Sequence, residues 1–167
     1  DVTHIWESAF YGTNISSVIL SPNLEIIGTN TFASCNALSG TLNLPVTLKY
    51  IGSSAFHSCG LTGNLSLPND LEYIGSSAFH SAGDFVGDLR IPDKISVLYN
   101  DTFNGGGGFV SYEPFTGRLD LNNVQKLGDA CFSSCNFTGE LVIPEGVEII
   151  PYQAFWGNGT AGRLTHV

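Results

Sequence analysis

An aliphatic residue followed five positions later by phenylalanine recurs seven times in this 167-residue chain. The pairs are Ile5/Phe10, Ile27/Phe32, Ile51/Phe56, Ile74/Phe79, Leu98/Phe103, Leu127/Phe132 and Ile150/Phe155, with Phe-to-Phe spacings of 22, 24, 23, 24, 29 and 23. A fixed period of that length identifies a solenoid, whose units bury their apolar faces only against their neighbours. The phenylalanines are therefore read as an inward column of seven, one ring above the next.

Between them recurs a Gly-x-Leu-x-[Leu/Ile]-Pro segment: 40–45, 63–68, 87–92 and 139–144, with 117–122 ending in Asn122 instead of proline. The apolar-polar-apolar alternation predicts a short strand with one buried face, and the proline, lacking an N–H, ends it. The glycine opening each segment permits a positive φ. Gly-Ser-Ser-Ala-Phe-His-Ser (52–58, with 75–81 alike) reads as one turn of helix or 3₁₀, too short to stand alone. Stacked coils then form a parallel ladder about 4.8 Å apart.

The pattern L-x-[LI]-P-x-x-L-x-x-I-G-x-x-A-F-x-x-C, clearest over Leu42–Cys59, resembles the BspA-like leucine-rich repeats of microbial surface proteins. The resemblance spans practically the whole chain. It implies a β-rich solenoid: a right-handed leucine-rich-repeat horseshoe with short parallel strands and short helical turns. It also implies an extracellular or cell-surface protein that adheres to a host or matrix partner, and no catalytic residue. Residues 1–167 are expected to form one domain of six to seven repeats of 22–24 residues, with one long repeat over 104–131. The chain opens in mid-repeat and closes on Arg163–Val167 as a coil begins. It therefore reads as part of a longer protein whose uncapped ends invite self-association.

Composition narrows the partners. Fifteen acids against six bases give a net charge of −9, the wrong sign for nucleic acid or an anionic membrane surface. No apolar run is long enough to span a bilayer. A protein or extracellular-matrix partner remains.

Several tempting groups have bland explanations. Cys35, Cys59 and Cys135 each fall three residues after a repeat Phe, and Cys131 precedes one, so all four read as small buried residues. A Cys35–Cys59 disulfide is compatible with adjacent coils, whereas the shared column predicts reduced thiols. His57 and His80 follow consecutive repeat phenylalanines and should lie roughly 5 Å apart. Beyond Asn104 their column offers no further ligand, so the reading is two surface histidines and no zinc site. Gly157–Gly162 matches G-x-G-x-x-G without the strand–helix context a phosphate site requires. No cofactor and no catalytic constellation are expected, and the chain is read as a non-enzyme.

Function is then expected on two surfaces. One is the polar face of the Leu-x-Leu segments, with columns Thr41, Asn64, Asp88, Arg118, Glu140, Arg163 and Asn43, Ser66, Arg90, Asp120, Val142, Thr165. Alternating charges there are explained equally by cross-strand pairing. The other is the glycine-rich insertion 104–116, with Phe109, Tyr112 and Phe115 as candidate anchors, although one or two of these rings, Phe115 first, are read equally well as covering the core. The candidate partner-binding set is Asp88, Arg90, Arg118, Asp120, Glu140, Arg163, Phe109, Tyr112 and Phe115. A structural spacer that presents another domain is the alternative. A column of Ile26, Tyr50, Tyr73, Val97 and Ile149 is expected to form a half-exposed apolar flank.

Overall fold

The computed structural model describes residues 1–106 and 114–158. Its core is the expected spine. Phe10, Phe32, Phe56, Phe79, Phe103, Phe132 and Phe155 stack in sequence with ring centroids 5.2, 5.3, 5.3, 5.5, 5.5 and 5.6 Å apart. Neighbouring ring planes lie within 12° of parallel. The five interior rings are buried, each contributing roughly 1.5–3 kcal/mol of transfer free energy. The spacing from Phe103 to Phe132 matches the others, so the additional residues of the long repeat leave the spine uninterrupted.

A second aromatic column runs beside it. Phe85, Phe115 and Phe137 stack at 5.2 and 5.3 Å. Each meets a spine ring edge-on, at 6.2, 6.0 and 5.8 Å. Offset stacking within columns and T-shaped contact between them are the two arrangements that the aromatic quadrupole favours.

The segment around each spine Phe is not helical, which corrects the expectation of short helical turns. Two residues before the Phe the backbone is left-handed: Ser8, Asn30, Ser54, Ser77, Asp101, Ala130 and Gln153 have φ between 52 and 58°. Two residues after it, Ser34, Ser58, Ser81 and Ser134 repeat the conformation. A helix needs right-handed dihedrals throughout, so these stretches form consecutive turns. Alternate amides then point along the solenoid axis. Ser54, Phe56 and Ser58 donate to the carbonyls of Ser76, Ala78 and His80 in the next coil, at 2.9, 2.9 and 3.0 Å. The intervening Ala55 and His57 amides close turns on Gly52 and Ser54 within their own coil. Small polar residues fill most of these sites because they tolerate the left-handed region better than branched ones, Ala130 and Gln153 being the exceptions.

Three parallel sheets complete the wall. The first contains β1 (His4–Ile5), β2 (Ile26–Ile27), β4 (Tyr50–Ile51) and β6 (Tyr73–Ile74) in the order β1-β2-β4-β6. The second contains β3 (Ser39–Gly40), β5 (Gly60–Gly63) and β7 (Gly83–Phe85). The third pairs β8 (Leu89–Arg90) with β9 (Leu119–Asp120). The Leu-x-Leu segments turn their apolar residues inward as expected, with Leu44 and Ile143 only partly buried, yet among the described residues β8 and β9 are the strands that pair there. The best-formed ladder is instead the Ile26/Tyr50/Tyr73 column, expected to be a flank.

The reason lies in the glycine that follows each of those strands. A Cβ on Gly52 would lie 2.5 Å from the backbone of Gly28, and one on Gly75 2.5 Å from the amide of Ser53. Without side chains there, the coils close until Gly52 N–H reaches Ile27 C=O at 2.8 Å and Gly75 N–H reaches Ile51 C=O at 2.9 Å. The prolines end their segments as expected, with Leu48, Leu71, Ile95 and Val147 each closing a turn onto the proline carbonyl three residues back.

Candidate recognition face

The glycine column begins only at the second coil, Trp6 standing in the first, and after Gly28 it is broken twice. Leu98 is followed by Tyr99 and Ile150 by Pro151, where Gly28, Gly52, Gly75 and Gly128 stand in other coils. Among the described residues, no backbone hydrogen bond joins 95–99 to 72–75, nor 147–151 to 124–128. Between these breaks the ladder resumes, with Val97 bridging Lys126 across Gly128. A side chain at the glycine site holds the coils apart on this edge, and Pro151 additionally has no N–H to donate. Other contacts bind the same coils: Ser134 N–H reaches Trp156 C=O at 2.6 Å, and Phe132 still stacks on Phe155.

The two seams differ in how they are bridged. Across the first, Lys94 Nζ reaches Asp70 at 2.7 Å and Glu72 at 3.6 Å. The pairing holds the Asp70 carboxyl below its usual range, chiefly through the hydrogen bond from Lys94. The second seam stays open. One groove of about 650 Å³ is lined by Asp93, Asn122, Asn123, Val142, Pro144 and Glu145 among others. A second, of about 340 Å³, is lined by Gln125–Leu127, Glu148, Ile149 and Pro151. Both share Gln125 and Gly146. Along them the Glu148 and Ile149 amides donate to no neighbouring coil among the described residues, unlike Lys49 and Tyr50 in their column.

Beside this opening lies the charged ladder. Asp88, Arg90, Arg118, Asp120 and Glu140 are all exposed. Arg90 and Asp120 are register partners, with Nε 3.5 Å from Oδ2. Asp88 Oδ1 accepts the backbone N–H of Arg118 at 2.7 Å. Arg90 also reaches Asp93 at 2.6 Å, and Asn122 Nδ2 donates to the same carboxylate. The hydrogen bond from Arg90, then that from Asn122, keeps Asp93 ionised below its ordinary range. Asn122 stands where the other segments carry proline, so the departure from the repeat supplies a donor. Exposed pairs of this kind stabilise by about 0–1 kcal/mol each. They set orientation more than stability.

Phe115 is corrected outright. It is 2 % exposed, stacked between Phe85 and Phe137, and its N–H donates to Phe85 C=O at 2.7 Å. Burial in the second aromatic column removes it from any binding surface. Asn104 and Gly105 also belong to the coil, since Ser81 donates to Asn104 and Gly105 to Ser133. Phe109, Tyr112 and Arg163 lie outside the described residues.

Sequence reasoning missed Asp93 and Asn122, and the pairs Lys94–Asp70 and Lys49–Glu25. The repeat period would have found the last two, because Asp70 to Lys94 and Glu25 to Lys49 are each 24 residues apart.

The cysteines are buried and free. The thiols of Cys35, Cys59 and Cys135 donate to the carbonyls of Phe10, Phe32 and Phe103 in the preceding coil, at 3.0, 3.3 and 3.1 Å. Asn158 holds the same place relative to Phe155 and donates to Phe132 C=O at 2.5 Å. The column is thus a set of donors that satisfy spine carbonyls. Burial pushes the Cys59 and Cys131 thiols up to about 12, which suppresses the nucleophilic thiolate. Among the described residues, no three His, Cys, Asp or Glu gather to hold a metal, and no helix is long and apolar enough to cross a membrane.

Stacked parallel coils with a repeating aromatic and aliphatic interior define a leucine-rich-repeat solenoid. The model of the BspA type leucine-rich repeat region matches six copies over residues 1–108 and 116–163, and the chain belongs to that family. No curated protein matches it. A leucine-rich repeat protein from Bacteroides ovatus, solved crystallographically, shares the fold with a TM-score of 0.63 at 23% identity. The match covers 87% of this chain and 42% of that protein, so the chain spans less than half of its relative's length.

Proposed function

We propose that this chain is a non-catalytic recognition module of a microbial surface protein, binding a protein or matrix partner outside the cell. The observation that carries this reading is the open seam at Pro151, where backbone amides without a cross-coil partner among the described residues lie beside the Arg90/Asp93/Asn122/Asp120 network. Unpaired donors next to oriented charges offer a partner both main-chain hydrogen bonds and electrostatic register. The family, found on microbial surface proteins, supports the extracellular placement.

The competing reading is a structural spacer, favoured by the unbroken Phe spine and the Lys94 bridge. One experiment separates them. Binding to a panel of immobilised matrix proteins and host-cell surfaces is compared for the wild type and the Arg90→Glu/Arg118→Glu variant, with circular dichroism confirming the fold. A recognition module loses roughly tenfold or more in affinity, as oriented interfacial charges do when reversed. Binding that is absent, or unchanged by the reversal, leaves the spacer.

A further inference from the structure

We propose that His57 and His80 form a two-imidazole chelate for a divalent transition-metal ion. The two side chains occupy the same position in successive coils, each directly after a buried spine phenylalanine. Their rings lie with centroids 5.0 Å apart and planes at 72°. Metal–imidazole bonds of about 2.0–2.1 Å place each ring centroid roughly 3.2 Å from a shared ion. Two such rings at about 90–110° around it are then about 4.5–5.2 Å apart. The observed separation falls in that interval before any ion binds.

The scaffold holds this geometry in place. Phe56 and Phe79, one residue earlier, are stacked at 5.3 Å, and Ser58 N–H donates to His80 C=O at 3.0 Å. Ser58 Oγ lies 3.3 Å from His57 Nδ1, a partner that fixes the ring and leaves Nε2 as the ligating atom. Both histidines are half-exposed, so an ion reaches them from solvent. A structural zinc site takes four ligands. Two imidazoles instead leave positions for water or for a donor from a partner, and neutral imidazoles select copper, nickel or zinc over calcium or magnesium.

The test uses the untagged chain. Isothermal titration with Cu²⁺, Ni²⁺ and Zn²⁺ at neutral pH is expected to show one ion per chain, Cu²⁺ tightest. His57→Ala or His80→Ala weakens binding roughly tenfold or more, as loss of one ligand or its support does, while His4→Ala leaves it unchanged. Electron paramagnetic resonance of the Cu²⁺ complex shows two equivalent nitrogen donors in the wild type and fewer in either variant. No binding below about 1 mM (about −4.1 kcal/mol) overturns the proposal. Affinity and nitrogen count that are indifferent to both histidines overturn it equally.

Discussion

Replacing Gly52 by alanine should open a seam where none exists. Gly52 is not in the left-handed region, so on backbone grounds the change would stabilise by about 0.4–1 kcal/mol through the unfolded state. The added Cβ, however, would lie 2.5 Å from Gly28 C and from Thr29 N, backbone atoms that cannot swing aside. Overpacking of that kind costs about 1–3 kcal/mol. Separating the coils also stretches the Gly52–Ile27 bond of 2.8 Å and the adjoining Tyr50–Glu25 bond of 3.2 Å, each worth about 0.5–1.5 kcal/mol net. The balance is a destabilisation of about 2–4 kcal/mol. Urea denaturation followed by circular dichroism measures it, and hydrogen exchange locates it: the Tyr50, Ile51 and Gly52 amides should lose protection while Phe56 retains it. A Gly52→Ala variant as stable as the wild type, or more so, would refute the account of why the ladder forms at this column. It would also undercut the explanation of the Tyr99 and Pro151 seams.

Further outcomes follow from the same packing. Phe56→Ala removes a fully buried ring stacked on both sides and should cost about 3–5 kcal/mol. Phe10→Ala, at 37 % exposure and with one stacked neighbour, should cost less than half as much in the same urea titration. Native chain should resist iodoacetamide until denatured, because Cys59 and Cys131 are held near 12. The sign of the linkage is that of a raised acid. Their contribution is fully present below the ordinary thiol value of 9.0 and is lost as pH climbs from there toward 12, so denaturation midpoints should fall across that interval. Rapid native alkylation would contradict the burial of this column.

Much of the architecture was legible in the chain. The Phe period, the prolines closing each segment and the glycines at 40, 63, 87 and 139, all with φ between 80 and 86°, are local chemistry repeated on a fixed spacing. The cross-coil pair Arg90–Asp120 followed from that spacing too. The turn segment was misread because Ser-Ala-Phe-His-Ser suits a helix start by composition. Its alternation of right- and left-handed residues comes from the hydrogen bonds offered by the next coil. Phe115 was left between anchor and core cover for a related reason. The insertion breaks the period, and with it the means of assigning a residue to a column, so its stacking between Phe85 and Phe137 is visible only in three dimensions.

Sequence alone thus determined the repeat, the identity of the interior spine and the acidic character of the surface, because each depends on residue type at a recurring interval. Where the coils zip together and where they part was decided by tertiary structure. Whether Gly52 or Pro151 at one position closes or opens a seam depends on atoms of the coil beneath, two to three ångströms away and more than twenty residues distant along the chain.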